Sequence, residues 1–441
     1  MEQVLTYSLF LLIVVITVKN SAISLAILLN VVVFRAIPYV DYKAPYYGYY
    51  NENDLILGAI LPITCYIIIL SKIFLNKSKI KYHTDVFDLF MLVLSIVMII
   101  SIIFSPNTFK SFYYTCIFLL LALPLYLVTK VYFLNTKKYK TRFLQFLKSI
   151  VIFAVAFSIV SLYLHNIAKY PYERMTFPGV YPIPFCLFLC TALIILLLYY
   201  IKPSLKLQLA KKSRILFSLP VLGIVLFSII KTNTRGPVFA MLLTVIVLFF
   251  MFFKIKLHIK IIMSFLASLF IGFILFISAF DVQKIAVRFI NLAPKDAESI
   301  SPRLIAYLDS IKLLIYRPWG ISVGTFGEFY SDKNSSAEET GTYAHNLFME
   351  LISSFGIVGA LLSFFFIYIL LFEYNFIIRN QEKIFSNIYL FTALVLFIFF
   401  FFETQFSFTL NTHKGFYIAM AFYSVFKFKF INSKYEHKNS I

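Results

Sequence analysis

The chain is 441 residues long, 61% hydrophobic and only 14% charged, with a mean hydropathy of +0.87. A soluble domain averages about half apolar and a quarter charged residues, so a water-soluble globule is excluded and lipid must solvate most of the chain. The formal net charge of +20 raises nucleic acid as a partner, but the placement of the charge along the chain excludes it.

An apolar run of about 20 residues crosses a hydrocarbon layer of about 30 Å as a helix. Two short runs come first, 4–18 and 21–37, and neither a basic start nor a small-residue cleavage site marks them as a leader. A tyrosine-rich loop, 40–53, ends in Glu52-Asn53-Asp54, which either opens a helix or offers two carboxylates to a divalent ion; the helix start is the weightier reading. Spans at 54–75, 86–104, 112–134 and 143–164 lead to the proline-rich loop 165–184. Spans 185–201 and 215–230 follow, then the short turn 231–237, KTNTRGP, and spans 238–253 and 261–280.

The segment 281–346 is long enough for structure of its own. Leu304, Leu308, Ile311 and Ile315 repeat at i, i+4, i+7 and i+11, which predicts an amphipathic helix over 303–316, opened by Ser301-Pro302, closed before Pro318 and lying on the membrane surface. Spans 347–372, 387–402 and 415–428 complete an all-α polytopic membrane protein with about 12–13 transmembrane helices and one large structured extracytoplasmic loop. Four regions result: N-terminal helices (1–214), helices flanking the Arg235 turn (215–280), the large loop (281–346), and C-terminal helices with a basic tail (347–441).

With the tail taken as cytoplasmic and sides alternated, the inside loops and adjoining span ends hold about three times as many Lys and Arg as the short outside loops. Lys137, Lys138, Lys140 and Arg142 fall inside, for example, and Lys231 and Arg235 outside. The basic balance is therefore a topology signal and an attraction to the anionic leaflet and its lipids. No nucleic-acid partner is expected. Charged groups inside the spans are few and sit near their ends, whereas polar chemistry gathers in outside loops. That favours a pocket at the membrane surface over a path through the middle, and argues against a transporter or flippase. The four cysteines (Cys65, Cys116, Cys186, Cys190) lie in apolar runs without a neighbouring His or carboxylate, and read as small hydrophobes.

Three positions carry the chemistry. Arg235 sits in a turn between two spans, with Gly236 allowing close backbone approach and Pro237 suited to a first helical turn. Its guanidinium either makes paired hydrogen bonds to a phosphate or snorkels to headgroups. Arg303 opens the amphipathic helix, with Arg288, Lys312 and Arg317 in the same loop; the cluster either surrounds a pyrophosphate or forms a solvated face. His345 precedes Asn346 where the loop enters a span. A partly desolvated His with a pKa near ~6.5 suits a general base for a sugar hydroxyl, and an inert interfacial His is the alternative. His165 and His413 have no supporting context.

The spacing after His345 separates these alternatives. The chain reads His345-Asn346, nine residues, Gly356, two residues, Gly359. This resembles the H-[NSQ]-x9-G-x-x-G signature of the O-antigen ligase and polymerase superfamily. Arg235-Gly236 after a span, and Arg303 ahead of the R-P-W-G-x-x-x-G-T-F turn from Arg317 to Phe326, are similar to the family's other marks. The resemblance covers 215 to the end.

The resemblance implies a polytopic, GT-C-like, metal-independent glycosyltransferase of the bacterial plasma membrane that needs no cofactor. Its substrate would be an oligosaccharide on undecaprenyl diphosphate, handled at the outer face. His345 would take the acceptor hydroxyl proton. Arg235 and Arg303 would hold the departing diphosphate, and Arg288, Lys312, Arg317, Tyr343 and Asn346 would line the substrate. Gly356 and Gly359 would be packing positions. A flippase and a chain-length regulator are the implied protein partners. The expected activity is polymerisation of O-antigen or capsule repeat units; a ligase acting on lipid A core is the sister alternative, and a flippase the rival from another class.

Overall fold

The computed structural model describes residues 2–39, 55–76, 79–167, 175–178, 180–201, 213–252, 297–329, 344–406, 409–410 and 413–438. Among these residues there are helices and no strands. The elements are α1 (Glu2–Lys19), α2 (Ser21–Leu29), α3 (Val31–Ala36), α4 (Leu61–Asn76), α5 (Val86–Ser101), α6 (Thr108–Ile117), α7 (Leu123–Asn135), α8 (Tyr139–Ile167), α9 (Pro182–Ile201), α10 (Ser213–Thr232), α11 (Arg235–Phe252), α12 (Ala297–Tyr316), α13 (Leu347–Arg379), α14 (Gln381–Ser386), α15 (Ile388–Glu403) and α16 (Lys414–Lys438). A π-helical turn, Phe118–Ala122, joins α6 and α7 into one rod.

Seven of the described helical stretches are long and apolar enough to cross a membrane: Ile56–Leu75, Val86–Phe104, Thr108–Asn135, Tyr139–His165, Pro182–Tyr199, Arg235–Phe252 and Leu347–Arg379. Gln3–Lys19, Pro220–Thr232 and Ile388–Glu403 are shorter apolar helices. The protein is thus an all-helical polytopic membrane protein. The expected span 261–280 lies outside the described residues. The apolar run 21–37 forms no single span, because Asn30 ends α2 and starts α3, its side-chain amide donating back to the Ala26 carbonyl at 3.0 Å.

Burial follows the expected solvent. Leu89, Leu92, Ile96 and Ile103 of the α5 rod, and Leu361, Phe364 and Tyr368 of α13, stay exposed on the bundle, where lipid rather than water suits them. The centre is α15, buried almost all round, packed on α16 and α11.

The two ends of the bundle differ. At one, Lys130 is wholly buried and pairs with Asp88 at 2.6 Å and Asp85 at 3.1 Å, while the Tyr82 and Tyr126 hydroxyls donate to Asp88. Ser424 donates to Asp85 there, and Lys427 pairs with Glu373 at 2.6 Å. At the other end lie the starts of α9, α11, α13 and α16 and the end of α15. Met175 N–H donates to the Lys231 carbonyl at 2.8 Å, Leu347 N–H to the Thr404 carbonyl at 3.1 Å, and the Phe239 and Phe406 rings meet.

Candidate active site

Arg235 is the first residue of α11, after a tight connection from α10. Asn233 N–H donates to the Ile230 carbonyl at 3.0 Å, and Asn233 itself adopts φ 48. Asn tolerates that left-handed conformation better than most residues, so two residues suffice to reverse the chain. Arg235 is half-buried at this end of the bundle.

His345 is held from the other side. Asn346 caps α13, its side-chain oxygen accepting from Phe348 N–H at 3.0 Å and Met349 N–H at 3.2 Å. The cap satisfies amides that the helix start leaves open, and His345 immediately before it takes φ 53. Asn346 therefore acts on His345 by fixing the backbone next to it. The signature asparagine has a structural use here.

Arg303 and His345 are brought together. Arg303 is half-buried in the second turn of α12, and α12 packs on α13. Burial first, and the positive charge of Arg303 second, push the His345 pKa down to about 4. The sequence expectation of a value near 6.5 is corrected by both causes: a desolvated imidazolium beside a guanidinium is costly. At neutral pH His345 is thus an uncharged base.

The helix carrying Arg303 begins at Ala297, so Pro302 falls in its second turn and not at its start. The apolar stripe is real, but Leu308, Ile311 and Ile315 are exposed. The face turned to the protein holds Ala306, Asp309, Ser310 and Leu313. An apolar stripe uncovered by protein is consistent with a helix resting on lipid. Lys312 is exposed and pairs with Asp309 at 3.3 Å; Arg317 is exposed, with its guanidinium over the Phe329 ring. Arg288 and Tyr343 lie outside the described residues, as does the acidic pair Glu52 and Asp54.

The two signature glycines do more than pack. A straight helix the length of α13 would run roughly 50 Å, well beyond the hydrocarbon thickness. Instead Gly356 takes φ 58, ψ −130 and breaks it into a short first part, 347–355, and a longer second part, 357–379. The turn after α12 docks into this break. Ile357 N–H donates to the Pro318 carbonyl at 2.8 Å, Ile321 N–H to Ser353 at 3.1 Å, and Ser322 N–H to Ser354 at 2.8 Å. A Cβ on Gly356 would collide with the Pro318 carbonyl, and one on Gly359 with the Leu351 carbonyl. The turn that follows α12 and the His signature are therefore one unit.

The sequence reading missed Glu350 and gave His413 no role. Glu350, buried one turn below Asn346, accepts the Leu410 N–H through both carboxylate oxygens at 3.0 and 3.1 Å, strapping the segment after α15 to the first part of α13. His413 is buried with Nδ1 3.8 Å from Glu403. An acid inside an apolar run was the available signal for Glu350; His413 gave none. Cys186 and Cys190 are free, buried and 3.9 Å apart, in keeping with their reading as small apolar groups.

Fold and site together define a polytopic membrane protein with a half-buried Arg303–His345 pair at one end of its bundle. Residues 219–364 match the family model described as O-antigen ligase, which is consistent with the resemblance carried by the His345 signature. The match spans Arg235, Arg303, His345 and both signature glycines. No curated protein and no solved structure matches the chain.

Proposed function

We propose that the protein is a polymerase that joins lipid-linked repeat units into O-antigen or capsular polysaccharide at the outer face of the bacterial plasma membrane. The observation that carries the reading is the neutral His345 beside Arg303, within the matched domain. In the reaction, the acceptor sugar hydroxyl oxygen attacks the anomeric carbon of the donor. The bond from that carbon to the diphosphate oxygen breaks, undecaprenyl diphosphate departs, and the hydroxyl proton passes to His345.

Arg235 and Arg303 hold the diphosphate, whose charge grows in the transition state, where preorganised cations contribute most. An incoming diphosphate also offsets the charge of Arg303 and raises the basicity of His345. The site thus becomes a stronger base when donor is bound. The diphosphate is already a good leaving group, so the residues alone supply the chemistry required, without a metal. The basic loops of the opposite end support the orientation.

The description of the matched family favours a second reading, a ligase that moves finished glycan to another acceptor such as lipid A core. A gel of surface polysaccharide from cells with wild-type, deleted and His345→Ala forms separates the two. A ladder that collapses to a single attached repeat in both mutants establishes the polymerase. Polymer still made but stranded on its lipid carrier establishes the ligase. A full ladder from His345→Ala removes the catalytic assignment.

A further inference from the structure

The end of the bundle that carries His345 holds a second polar feature that this chemistry does not use. A cavity of about 150 Å³ lies where α2, α3, α9, α15 and α16 meet. Its wall includes Val33, Phe188 and Phe400, all buried and apolar. Three polar side chains line it. The Asn30 amide donates to the Ala26 carbonyl at 3.0 Å and the Thr191 hydroxyl to Leu187 at 2.8 Å, so both are engaged within their own helices. The third is Lys414, which has neither an ion pair nor a hydrogen bond among the described residues.

The charge that acts on Lys414 is positive: Arg35, whose guanidinium lies over Gly58. Lys414 also opens the 25-residue α16, whose free N-terminal amides add partial positive charge. Glu403 on the neighbouring helix faces His413. An ammonium in an apolar cavity, with a second cation beside it, is unfavourable until an anion arrives. The volume suits a phosphate and the first few carbons attached to it, not a whole lipid. Leu29 and Pro184 at the rim are half-buried and leave a way out for a tail.

We propose that this cavity binds the phosphate of a lipid phosphate, with Lys414 as its counter-charge and the apolar wall around the first carbons of the tail. Its function follows from the polymerase reading above, on which this step alone rests. Joining two lipid-linked units needs two carrier sites at one end of the bundle, and this cavity seats the lipid-proximal phosphate of the second carrier. Thr404, just after α15, accepts from Leu347 N–H beside His345.

The test uses the full-length protein in detergent, with dodecyl phosphate, dodecanol and inorganic phosphate as probes and native mass spectrometry as the readout. Lys414→Gln should weaken dodecyl phosphate binding about tenfold or more, the value of a charge-assisted contact. Lys414→Arg should retain it, and melting temperatures show that the variants fold. A photoreactive alkyl phosphate should label α2, α3, α9, α15 or α16 of the wild-type chain, which needs no variant.

Unchanged binding in Lys414→Gln, or labelling confined to other helices, overturns the proposal. Inorganic phosphate or dodecanol binding as tightly as dodecyl phosphate overturns the lipid-phosphate assignment. The two readings fail separately. Loss of dodecyl phosphate in Lys414→Gln together with a full ladder in His345→Ala leaves the cavity and removes the catalytic site. The opposite pair of results does the reverse.

Discussion

His345 sits in the wrong protonation range for an ordinary surface histidine. Burial and Arg303 hold it at about 4, against 6.5 for a free imidazole. Between those values an unfolded chain binds a proton that the folded one refuses. The stability that this group contributes is therefore full above 6.5 and is lost as pH falls toward 4. Activity should show the same displacement. The acid limb of kcat/KM, which reports the free enzyme, should fall below 6.5, and the limb in kcat should lie higher, because bound diphosphate offsets Arg303.

Arg303→Gln should separate the two functions of that arginine. We expect a loss of about 10²–10³ in rate, as for removal of one transition-state donor, together with an upward move of the acid limb of kcat/KM. A rate loss without that move would make Arg303 a substrate contact with no hold on His345. Of this arrangement the sequence exposed His345 and Asn346 by spacing, and Arg303 only by its order along the chain. That Arg303 acts on His345 across 42 positions depends on how α12 packs on α13, which no local pattern encodes.

At the scale of elements, the decisive feature is the break at Gly356. A positive φ with ψ near −130 belongs to glycine. Gly356→Ala should cost roughly 1–3 kcal/mol in backbone strain, and the collision with the Pro318 carbonyl adds to it. The expected result is a lower melting temperature and lost polymer, because the turn that follows Arg303 loses its seat. Wild-type stability in that variant would mean the break is dispensable.

The stripe of α12 was legible as a 3.6-residue period, but periodicity gives a face without its partner. The structure turns Leu308, Ile311 and Ile315 away from the protein, and the small residues inward. Trp319, the one tryptophan of the chain, follows this helix and is exposed, stacked on Phe104. Brominated lipids should therefore quench the intrinsic tryptophan fluorescence of the reconstituted protein. Emission indifferent to bromination would lift α12 off the membrane.

On the scale of the whole molecule, the bundle separates two kinds of charge. One end keeps its ions paired: Lys130 between Asp85 and Asp88, and Lys427 on Glu373. The other end gathers Arg235, Arg303 and Lys414, cations suited to phosphate. Lys130→Met should destabilise the protein by up to about 3 kcal/mol, since it strands two partly buried carboxylates. Replacing Asp85 and Asp88 by Asn in the same chain should recover part of that loss. Thermal unfolding in detergent measures both, and an unaltered melting point for Lys130→Met would show that the network carries no stability.

The sequence by itself determined the solvent and the helical class, and it singled out the candidate site residues. Transfer of apolar side chains to lipid is a sum over local residues, and the spacing from His345 to Gly356 and Gly359 is local as well. Only the tertiary structure decided what those residues do to one another. It set the field of Arg303 on His345, the docking of the Pro318 turn into the Gly356 break, the strap from Glu350 to Leu410 and the cavity around Lys414. Each joins groups far apart in the chain, and their energies depend on distance and burial that packing alone supplies.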